Sequence, residues 1–508
     1  MNLERRFPMF GRWRIKQTDQ IQTKNVSKSL SDNMIYIQKS FNQSSDLKTR
    51  SFQFIKQEGL LVYLETVCDL EKIQTNVLVP ISKLTGNNTT IDKLITSTRL
   101  ESSNDLDYSI DQMLRGYCLL FMEDNENAFI FNASKINSRS PDEPSNEKVV
   151  RGSHSGFVEN LDTNLNLIRT RLANRQLTIE YMEIGTESNT RTAVVYMKGL
   201  ANEQVLSCLK ERMQSISSDM LFSPGYLEEF IEDEPFSPFP QTLYSERPDR
   251  VMAHLMDGKI AIFTDGSSDV VIAPVTLFSF FQSPDDYNSR VYAGSFFRLI
   301  RFVSFIVALT FPALYIAIVA FHFEVIPNEI VVLVKHSVES VPFPPLIEAM
   351  IMAFTIELIR EAGVRLPTPI GSTIGIVGGL IIGDAVINAG LISNMMVIII
   401  AITAVSSFTV PSYEMSTSIR LLTFPLMVSA ASLGFLGMAF SLMFIIGHLC
   451  KLESFGTPYF ATLAPLTIRD LKDSFVRFPV WMFNRRPQET RAKNMQKQGR
   501  NREWDDEE

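Results

Sequence analysis

Cysteine and histidine are scarce in this chain and are scattered along it. Among 508 residues there are four cysteines and five histidines. The cysteines form no CxxC pair, and the histidines lack the spacing of zinc ligands. We therefore expect free, buried thiols in a reducing compartment and no bound metal.

Sequence motifs of catalysis are also absent. The chain has no GxxxxGK[ST], GxSxG or HExxH, and no GxGxxG after a strand. The glycine-rich stretch 375–379 lies inside an apolar segment, where it cannot hold phosphate in water. The sequence predicts no enzyme, no catalytic residue and no cofactor.

The charge pattern and the N-terminus exclude two further classes. The formal net charge is −8, and no basic stripe with interleaved aromatic residues indicates a nucleic-acid partner. The first twenty residues contain four arginines but no apolar core of a secretory signal. We expect the polar N-terminal half to stay in the cytoplasm and the first apolar segment to direct membrane insertion.

Hydropathy divides the chain into a polar half and an apolar half. We predict a multidomain protein with two N-terminal cytoplasmic α/β subdomains followed by an α-helical polytopic transmembrane domain. Composition and prolines place the predicted boundaries as follows: a disordered tail at 1–45, subdomain 1 at 46–133, a linker at 134–148, subdomain 2 with a hairpin connection to the membrane at 149–290, the transmembrane domain at 291–465, and a charged cytoplasmic tail at 466–508.

Short apolar runs and turn residues predict the elements of the polar half. Residues 117–122 and 128–131 flank a polar EDNEN and are typical of a hairpin, as are 259–264 and 270–273 around Asp265-Gly266. A strand at 60–64 and strands at 177–182 and 192–197 are also expected, with helices at 156–173 and 200–213. Residues 67–83 are predicted to form a helix that breaks near Pro80.

Long apolar runs in the second half predict membrane spans. Residues 302–321 carry no charged side chain over 20 residues, which matches the thickness of a bilayer. Further spans are predicted near 370–392, 394–411 and 421–448. The segment 346–359 is short and contains two glutamates, so it is a span or a re-entrant helix.

Basic residues predict the orientation. Arg290, Arg298 and Arg301 precede the first span and favour a cytoplasmic N-terminal half. A basic tail after the last span favours the same side and requires an even number of crossings. The later arginines do not all fall on one side of a four-span protein, so the number of crossings stays open.

Four glycines recur at every fourth position: Gly371, Gly375, Gly379 and Gly383. On a helix they form a strip without side chains along which another helix packs closely. The partner helix belongs either to the same chain or to a second copy in an oligomer.

The opposite face of the same predicted helix mixes polar and apolar side chains. Asp384 is costly in lipid and requires water or a partner. We interpret this face as a candidate pore lining, in which a ring of carboxylates attracts cations; the alternative is that Asp384 pairs with an arginine at the membrane edge. The candidate pore-lining residues are Thr373, Val377, Leu380, Asp384, Asn388 and Leu391.

Charged residues surround a proline-rich elbow at 342–345. They form either a pore mouth that couples the soluble part to the membrane part or a structural ion-pair network at the membrane surface. The candidates are Glu348, Glu357, Arg360, Glu361 and Arg365.

Several long strings resemble those of the GerA family of spore germination proteins. The strings are PFPPLIEAM (342–350), ELIREAGVRLPTPIG (357–371) and SFTVPSYEMSTSIRLLTFPLM (407–427). Two further strings, at 151–172 and 246–287, are also similar to that family. The resemblance covers roughly 50–470 and is strongest after 246.

The resemblance implies an A subunit of a germinant receptor in the spore inner membrane. Such subunits work with a permease-like B subunit, through which nutrient is mainly sensed, and with a lipoprotein C subunit. They are thought to form a homo-oligomeric ring around a cation pore in contact with membrane lipid. We therefore hypothesise a nutrient-gated cation channel subunit. The alternatives are a non-conducting scaffold for the B subunit and a secondary transporter, although the sequence has no inverted repeat and few spans.

Overall fold

The computed structural model describes residues 24–54, 57–82, 100–135, 143–144, 146–366, 383–499 and 501. Two compact units divide the chain. The first contains residues 1–138 and 169–178, and the second contains residues 139–168 and 179–508.

A five-stranded antiparallel sheet forms the centre of the first unit, in the order β1-β2-β4-β5-β3. The predicted hairpin is confirmed, because Cys118 pairs with Phe131 and Leu120 with Phe129. Leu61, Val62, Leu119 and Leu120 are fully buried, so this sheet builds a core. The strands are β1 (Leu47–Phe54), β2 (Gln57–Leu64), β3 (Leu100–Ser103), β4 (Tyr117–Met122) and β5 (Ala128–Asn132).

Helix α1 (Leu30–Ser40) of the first unit corrects part of the predicted disordered tail at 1–45, of which residues 1–23 lie outside the described residues. It begins at Ser29, whose side chain accepts a hydrogen bond from the Asp32 amide as an N-cap. Ile37 and Phe41 lie fully buried in the core of this unit. A few apolar residues at helical spacing thus order a segment that is polar overall.

The helix around Pro80 does not break as predicted. Helix α2 (Leu70–Ile73) leads into a π-helical turn at Gln74–Leu78 and then into α3 (Val79–Ser82). Proline lacks the amide hydrogen that an α-helix needs, and the wider turn before it accommodates that loss. Helix α4 (Leu106–Met113) is capped by Asp105 and packs Ile110 into the same core.

A second five-stranded sheet has the order β6-β7-β9-β10-β8. The hairpin around Asp265-Gly266 is confirmed, with Val271 opposite Ile262. The paired residues of both strands are buried inside the sheet. The predicted role of this hairpin as the connection to the membrane stays a prediction. The strands are β6 (Leu177–Ile184), β7 (Thr190–Met197), β8 (Leu243–Ser245), β9 (Ile260–Thr264) and β10 (Val270–Ala273).

Helices pack on this second sheet around a separate core that includes Val194, Leu209, Leu227 and Ile262. The last residues of the predicted linker also attach to it: the Asn146 side-chain amide donates to Glu246, and Ser245 donates to Glu147. The domain boundaries as a set remain predictions. The helices are α5 (Leu161–Arg171), α6 (Glu203–Gln214), α7 (Pro224–Ile231), α8 (Pro248–Met256) and, after a 3-10 turn at Leu277–Phe280, α9 (Pro284–Asn288).

One helix in the described part of the chain is long and apolar enough to cross a membrane. This is α10 (Val291–Phe321), whose 31 residues extend the predicted first span by eleven residues at its N-terminal end. Two other helices are apolar but shorter. The remaining helices of this half are α11 (Asn328–Glu339), α12 (Pro345–Arg365), α13 (Asn394–Phe408), α14 (Tyr413–Leu433) and α15 (Phe435–Lys451).

The predicted spans differ from these helices in two places. The span at 421–448 is not one helix, because Gly434 adopts φ +63° between α14 and α15. The doubtful segment 346–359 belongs to the 21-residue helix α12. Of the span predicted at 370–392, residues 370–382 lie outside the described residues, and 383–388 are helical.

The C-terminal segment folds back onto the second sheet. The Lys493 amide donates to the Leu200 carbonyl, and the Arg486 side chain donates to the Met256 carbonyl. Two short strands, β11 (Glu453–Ser454) and β12 (Thr457–Pro458), precede it. The charged tail predicted from composition therefore contributes to the packing of the second unit.

Candidate functional site

The described end of the candidate pore helix exposes its polar side chains. Asp384 and Asn388 are both exposed on the helical turns 383–388. No arginine or lysine lies within ion-pair distance of Asp384 among the residues that the structure describes. Arg360 and Arg365, which are candidates for the arginine of the alternative interpretation, bind glutamates on their own helix instead.

Leu391 does not continue the predicted stripe. The Leu391 amide donates to the Val386 carbonyl and the Gly390 amide to the Ile387 carbonyl, which is the hydrogen-bond pattern of a helix end. Gly390 has φ +64°, a conformation that favours glycine and stops the helix. Leu391 therefore lies outside the helical register that relates Asp384 to Asn388. Thr373, Val377 and Leu380 lie outside the described residues.

Gly383 is the described member of the glycine strip, and Gly371, Gly375 and Gly379 fall outside the described residues. No described atom lies within 4 Å of the position that a Cβ would take on Gly383. Its face is therefore open within the described part of this chain, and a close contact there requires another segment or another copy.

Glu348 does not contact the other four charged residues of the predicted pore-mouth or coupling group. Its side chain is 1% exposed, and its Oε2 accepts a hydrogen bond from the Ser393 amide at 2.8 Å. Because Ser393 is the N-cap of α13, Glu348 on α12 holds the start of that helix. The Glu348 Oε1 is buried and has no hydrogen-bond partner among the described residues.

Glu357 and Arg360 form the centre of a half-buried charged cluster on α12. Arg360 Nη1 donates to Glu357 Oε1 at 2.7 Å, and Arg420 Nε of α14 lies 3.5 Å from the same oxygen. Arg360 also reaches the Ser407 hydroxyl and stacks over the Phe408 ring. Two guanidinium groups thus share one carboxylate, which leaves a net positive charge and joins three helices.

A cavity of about 410 Å³ lies beside this cluster. Arg360, Arg420 and Tyr413 line it on the helical side, and Lys148 and Arg250 line it on the side of the sheet. By contrast, Glu361 and Arg365 form an exposed pair at 2.6 Å within α12, and neither side chain forms an ion pair with another helix among the described residues. Of the five predicted coupling residues, the structure brings together only Glu357 with Arg360 and Glu361 with Arg365.

A second charged junction, which was not predicted from the sequence, lies at the start of α10. Asp286 Oδ2 accepts from Arg298 Nε at 3.1 Å, and Asp286 also receives Arg301 Nη1 at 2.8 Å. Arg298 Nη1 reaches Asp473 Oδ1 at 2.8 Å. The sequence signal for this junction is the pair Arg298 and Arg301 before the apolar run at 302–321, which we interpreted only as evidence for the orientation in the membrane. The junction connects α9, the long apolar helix and the C-terminal segment.

Comparison with known families decides what kind of protein carries these features. The model of the Bacillus/Clostridium GerA spore germination protein family matches residues 35–489. The chain belongs to this family.

Curated relatives of this GerA-family chain match it over almost its whole length. It is 37% identical to "Uncharacterized membrane protein YfkQ" of Bacillus subtilis (strain 168), covering 97% of this chain and 98% of the relative. It is 35% identical to "Spore germination protein KA" of the same organism, covering 94% and 89%, and 37% identical to "Spore germination protein B1", covering 91% and 97%.

One solved structure is also similar to the GerA-family chain. It is the N-terminal domain of the A subunit of the Bacillus megaterium spore germinant receptor GerK3, at 26% identity. The match covers 50% of this chain and 97% of that one, with a TM-score of 0.39.

Proposed function

We propose that the chain is the A subunit of a germinant receptor and that it forms an oligomeric cation channel in the spore inner membrane. In this proposal the N-terminal half is cytoplasmic and the helical domain crosses the membrane several times. The chain assembles with a permease-like B subunit and a lipoprotein C subunit. The family match and its germination relatives support the receptor role.

The observation that carries the channel is the exposed Asp384 on a helix whose glycine face is open. A carboxylate beside an apolar helix needs water or a counter-charge. Around Asp384 the described residues provide no cation at ion-pair distance. In a ring of copies, Gly383 would face a neighbouring helix and Asp384 would face a common axis.

A ring of carboxylates has a direct electrostatic consequence. Like charges around a narrow aqueous axis raise the local concentration of cations and lower that of anions. The shared cluster of Arg360, Glu357 and Arg420 fits a coupling role, because a shift of α14 against α12 would change which guanidinium binds the carboxylate. The charged cluster around Glu357 and the charged junction around Asp286 each join helices that would move when a pore opens.

A non-conducting scaffold for the B subunit is the second candidate. It is favoured by the extent of the α/β part, which offers two sheets and their helices for binding a partner. A scaffold requires neither a ring nor an exposed carboxylate at a helix end. The two functions therefore differ in what the isolated chain does in a bilayer.

The test is reconstitution of the full chain, purified alone, into liposomes and nanodiscs. The channel predicts a closed ring with a water-filled axis and a cation flux; a scaffold predicts assembled or monomeric protein without flux.

Gly383→Leu should weaken ring formation by holding helices apart. Gly447→Leu is the matched control, because the Gly447 face is equally open to described atoms but lies on α15. Equal assembly of both variants would remove the glycine strip from the contact between copies.

A further inference from the structure

Among the described residues, Lys259 is a buried cation without a carboxylate partner. The residue stands directly before β9 and is 4% exposed. Its Nζ donates to the Ser279 hydroxyl at 3.2 Å, and no carboxylate oxygen among the described residues lies within 4.0 Å of it. Moving an ammonium group out of water is costly unless an opposite charge compensates it. Burial lowers the pKa of Lys259, which reflects the same cost.

A cavity of about 320 Å³ adjoins Lys259. Helix α8 contributes His254 and Ala253 to its wall, and the folded-back C-terminal segment contributes Val480, Phe483 and Glu489. All these residues belong to the second unit. The volume and the mixture of apolar and polar walls suit a small molecule.

Most other charged groups of the wall are already paired. Asp249 binds Arg247, Asp257 binds Lys497, and Asp473 binds Arg298. Arg250 is likewise paired, with Glu147. Lys259 and Glu489 are the members of this wall without an ion pair in the described chain.

Glu489 is the buried carboxyl group in the cavity wall. Its Oε1 accepts a long hydrogen bond from the Thr276 hydroxyl at 3.5 Å. Burial raises the pKa of Glu489 to about 7, with the Lys259 charge opposing that shift. A second anion beside this buried carboxyl group is disfavoured, whereas a hydroxyl group can hydrogen-bond it in either protonation state. The three paired aspartates in the wall also disfavour a doubly charged ligand such as inorganic phosphate.

We propose that this cavity binds a small monocarboxylate whose acid group pairs with Lys259 and whose other end is polar. One ligand charge matches Lys259, the cation of this wall without an ion pair among the described residues, and a hydroxyl group can hydrogen-bond Glu489. The apolar side chains Val480 and Phe483 cover the carbon chain between the two ends. Because Glu489 and Phe483 come from the C-terminal segment, a bound ligand also fixes that segment on the sheet. The site does not depend on the proposed channel.

The test measures thermal unfolding and isothermal titration of the full chain in detergent at constant ionic strength. The probes are straight-chain hydroxy-monocarboxylates of increasing length, with 1,4-butanediol as the uncharged control and inorganic phosphate as the dianion. One or more of the carboxylates should bind saturably and raise the unfolding temperature, whereas butanediol and phosphate should not. Saturable phosphate binding with no carboxylate response would contradict the proposal.

Variants separate this site from a general effect of anions. Lys259→Met should weaken carboxylate binding about tenfold or more, the loss of one charge-assisted contact. Removal of an uncompensated buried charge should at the same time leave the variant as stable as the parent or more so, so that lost binding cannot be ascribed to misfolding. Lys493→Met is the matched control. Lys493 is an exposed lysine on the same C-terminal segment and pairs with Glu203 outside the cavity wall, so this variant should bind the carboxylate like the parent. Absence of binding by every carboxylate, or equal binding by Lys259→Met, would overturn the proposal.

Discussion

Arg298 on the first apolar helix donates to Asp286 at 3.1 Å, and the two side chains are 0% and 1% exposed. The same carboxylate also binds Arg301. Two arginines that favour a cytoplasmic N-terminal half by their charge are thus bound inside the protein. Their role in this structure is to fix the start of α10 against α9 and the C-terminal segment.

Replacing Asp286 by Ala should destabilise the second unit strongly. The change leaves two guanidinium groups without their shared carboxylate, and breaking a buried ion pair in this way costs about 3–5 kcal/mol. Thermal unfolding of the full chain in detergent measures the effect. Asp285→Ala is the neighbouring control, because among the described residues the Asp285 side chain accepts hydrogen bonds from the exposed backbone amides of Val150 and Arg151 and forms no ion pair. Similar losses in both variants would contradict the structural role given to Asp286.

A second buried pair makes an independent prediction for the first unit. Asp46 and Arg169 meet at 2.8 Å with both side chains 0% exposed, and Thr66 donates to the same carboxylate. Asp46→Ala should cost about 3–5 kcal/mol of unfolding free energy. Asp162→Ala, which breaks a half-exposed pair with Arg191, should cost less than about 1 kcal/mol. Comparable unfolding midpoints for the two variants would contradict the burial of the Asp46–Arg169 ion pair away from water.

Local patterns predicted seven of the ten described strands of the two sheets, but not β1, β3 or β8 and not the arrangement of the strands. Turn residues around Asp265-Gly266 gave the β9–β10 hairpin, because a hairpin is decided by neighbours in sequence. The pairing of β7 with β9 joins strands some seventy residues apart, and nothing local specifies it. Helix α1 was missed for a related reason: its apolar side chains lie among polar ones, and the burial of Ile37 and Phe41 depends on the distant sheet.

Gly434 should tolerate no side chain. It separates α14 from α15 at φ +63°, and a Cβ there would lie 2.6 Å from the His322 ring. Gly434→Ala should therefore lower the unfolding temperature by several degrees, as expected for a loss of about 1–3 kcal/mol. Gly447→Ala on the open face of α15 is the control and should be neutral or slightly stabilising. An unchanged Gly434→Ala protein would argue against the tight turn between these helices.

The candidate site was predicted in part. Glu357 with Arg360 and Glu361 with Arg365 follow from helical spacing, which fixes neighbours three and four residues apart. The sequence could not show that Arg420 shares Glu357, since that contact joins two helices sixty residues apart. It also could not show that Glu348 turns inward to cap α13. The role of Asp384 stays a prediction.

Stability of the second unit should fall as pH rises from weakly acidic to weakly basic. Burial and the neighbouring Glu228 carboxylate raise the pKa of Glu232 from 4.5 to about 8. The folded state therefore binds the Glu232 proton more tightly than the unfolded state, and this stabilisation is lost between pH 4.5 and 8. Glu232→Gln should flatten that part of the stability profile, whereas the exposed Glu229→Gln should not. A profile unchanged by Glu232→Gln would contradict the raised pKa.

The most direct test of the proposed channel is the ion selectivity of Asp384 variants in liposomes, measured together with the amount of assembled protein. Asp384→Asn keeps the size of the side chain and removes its charge. If Asp384 lines the axis, cation flux through the assembled variant should fall and discrimination against anions should weaken. Asp384→Lys should abolish or reverse cation preference with assembly retained. Parental selectivity in fully assembled Asp384→Lys protein would place Asp384 outside the pore and contradict the account.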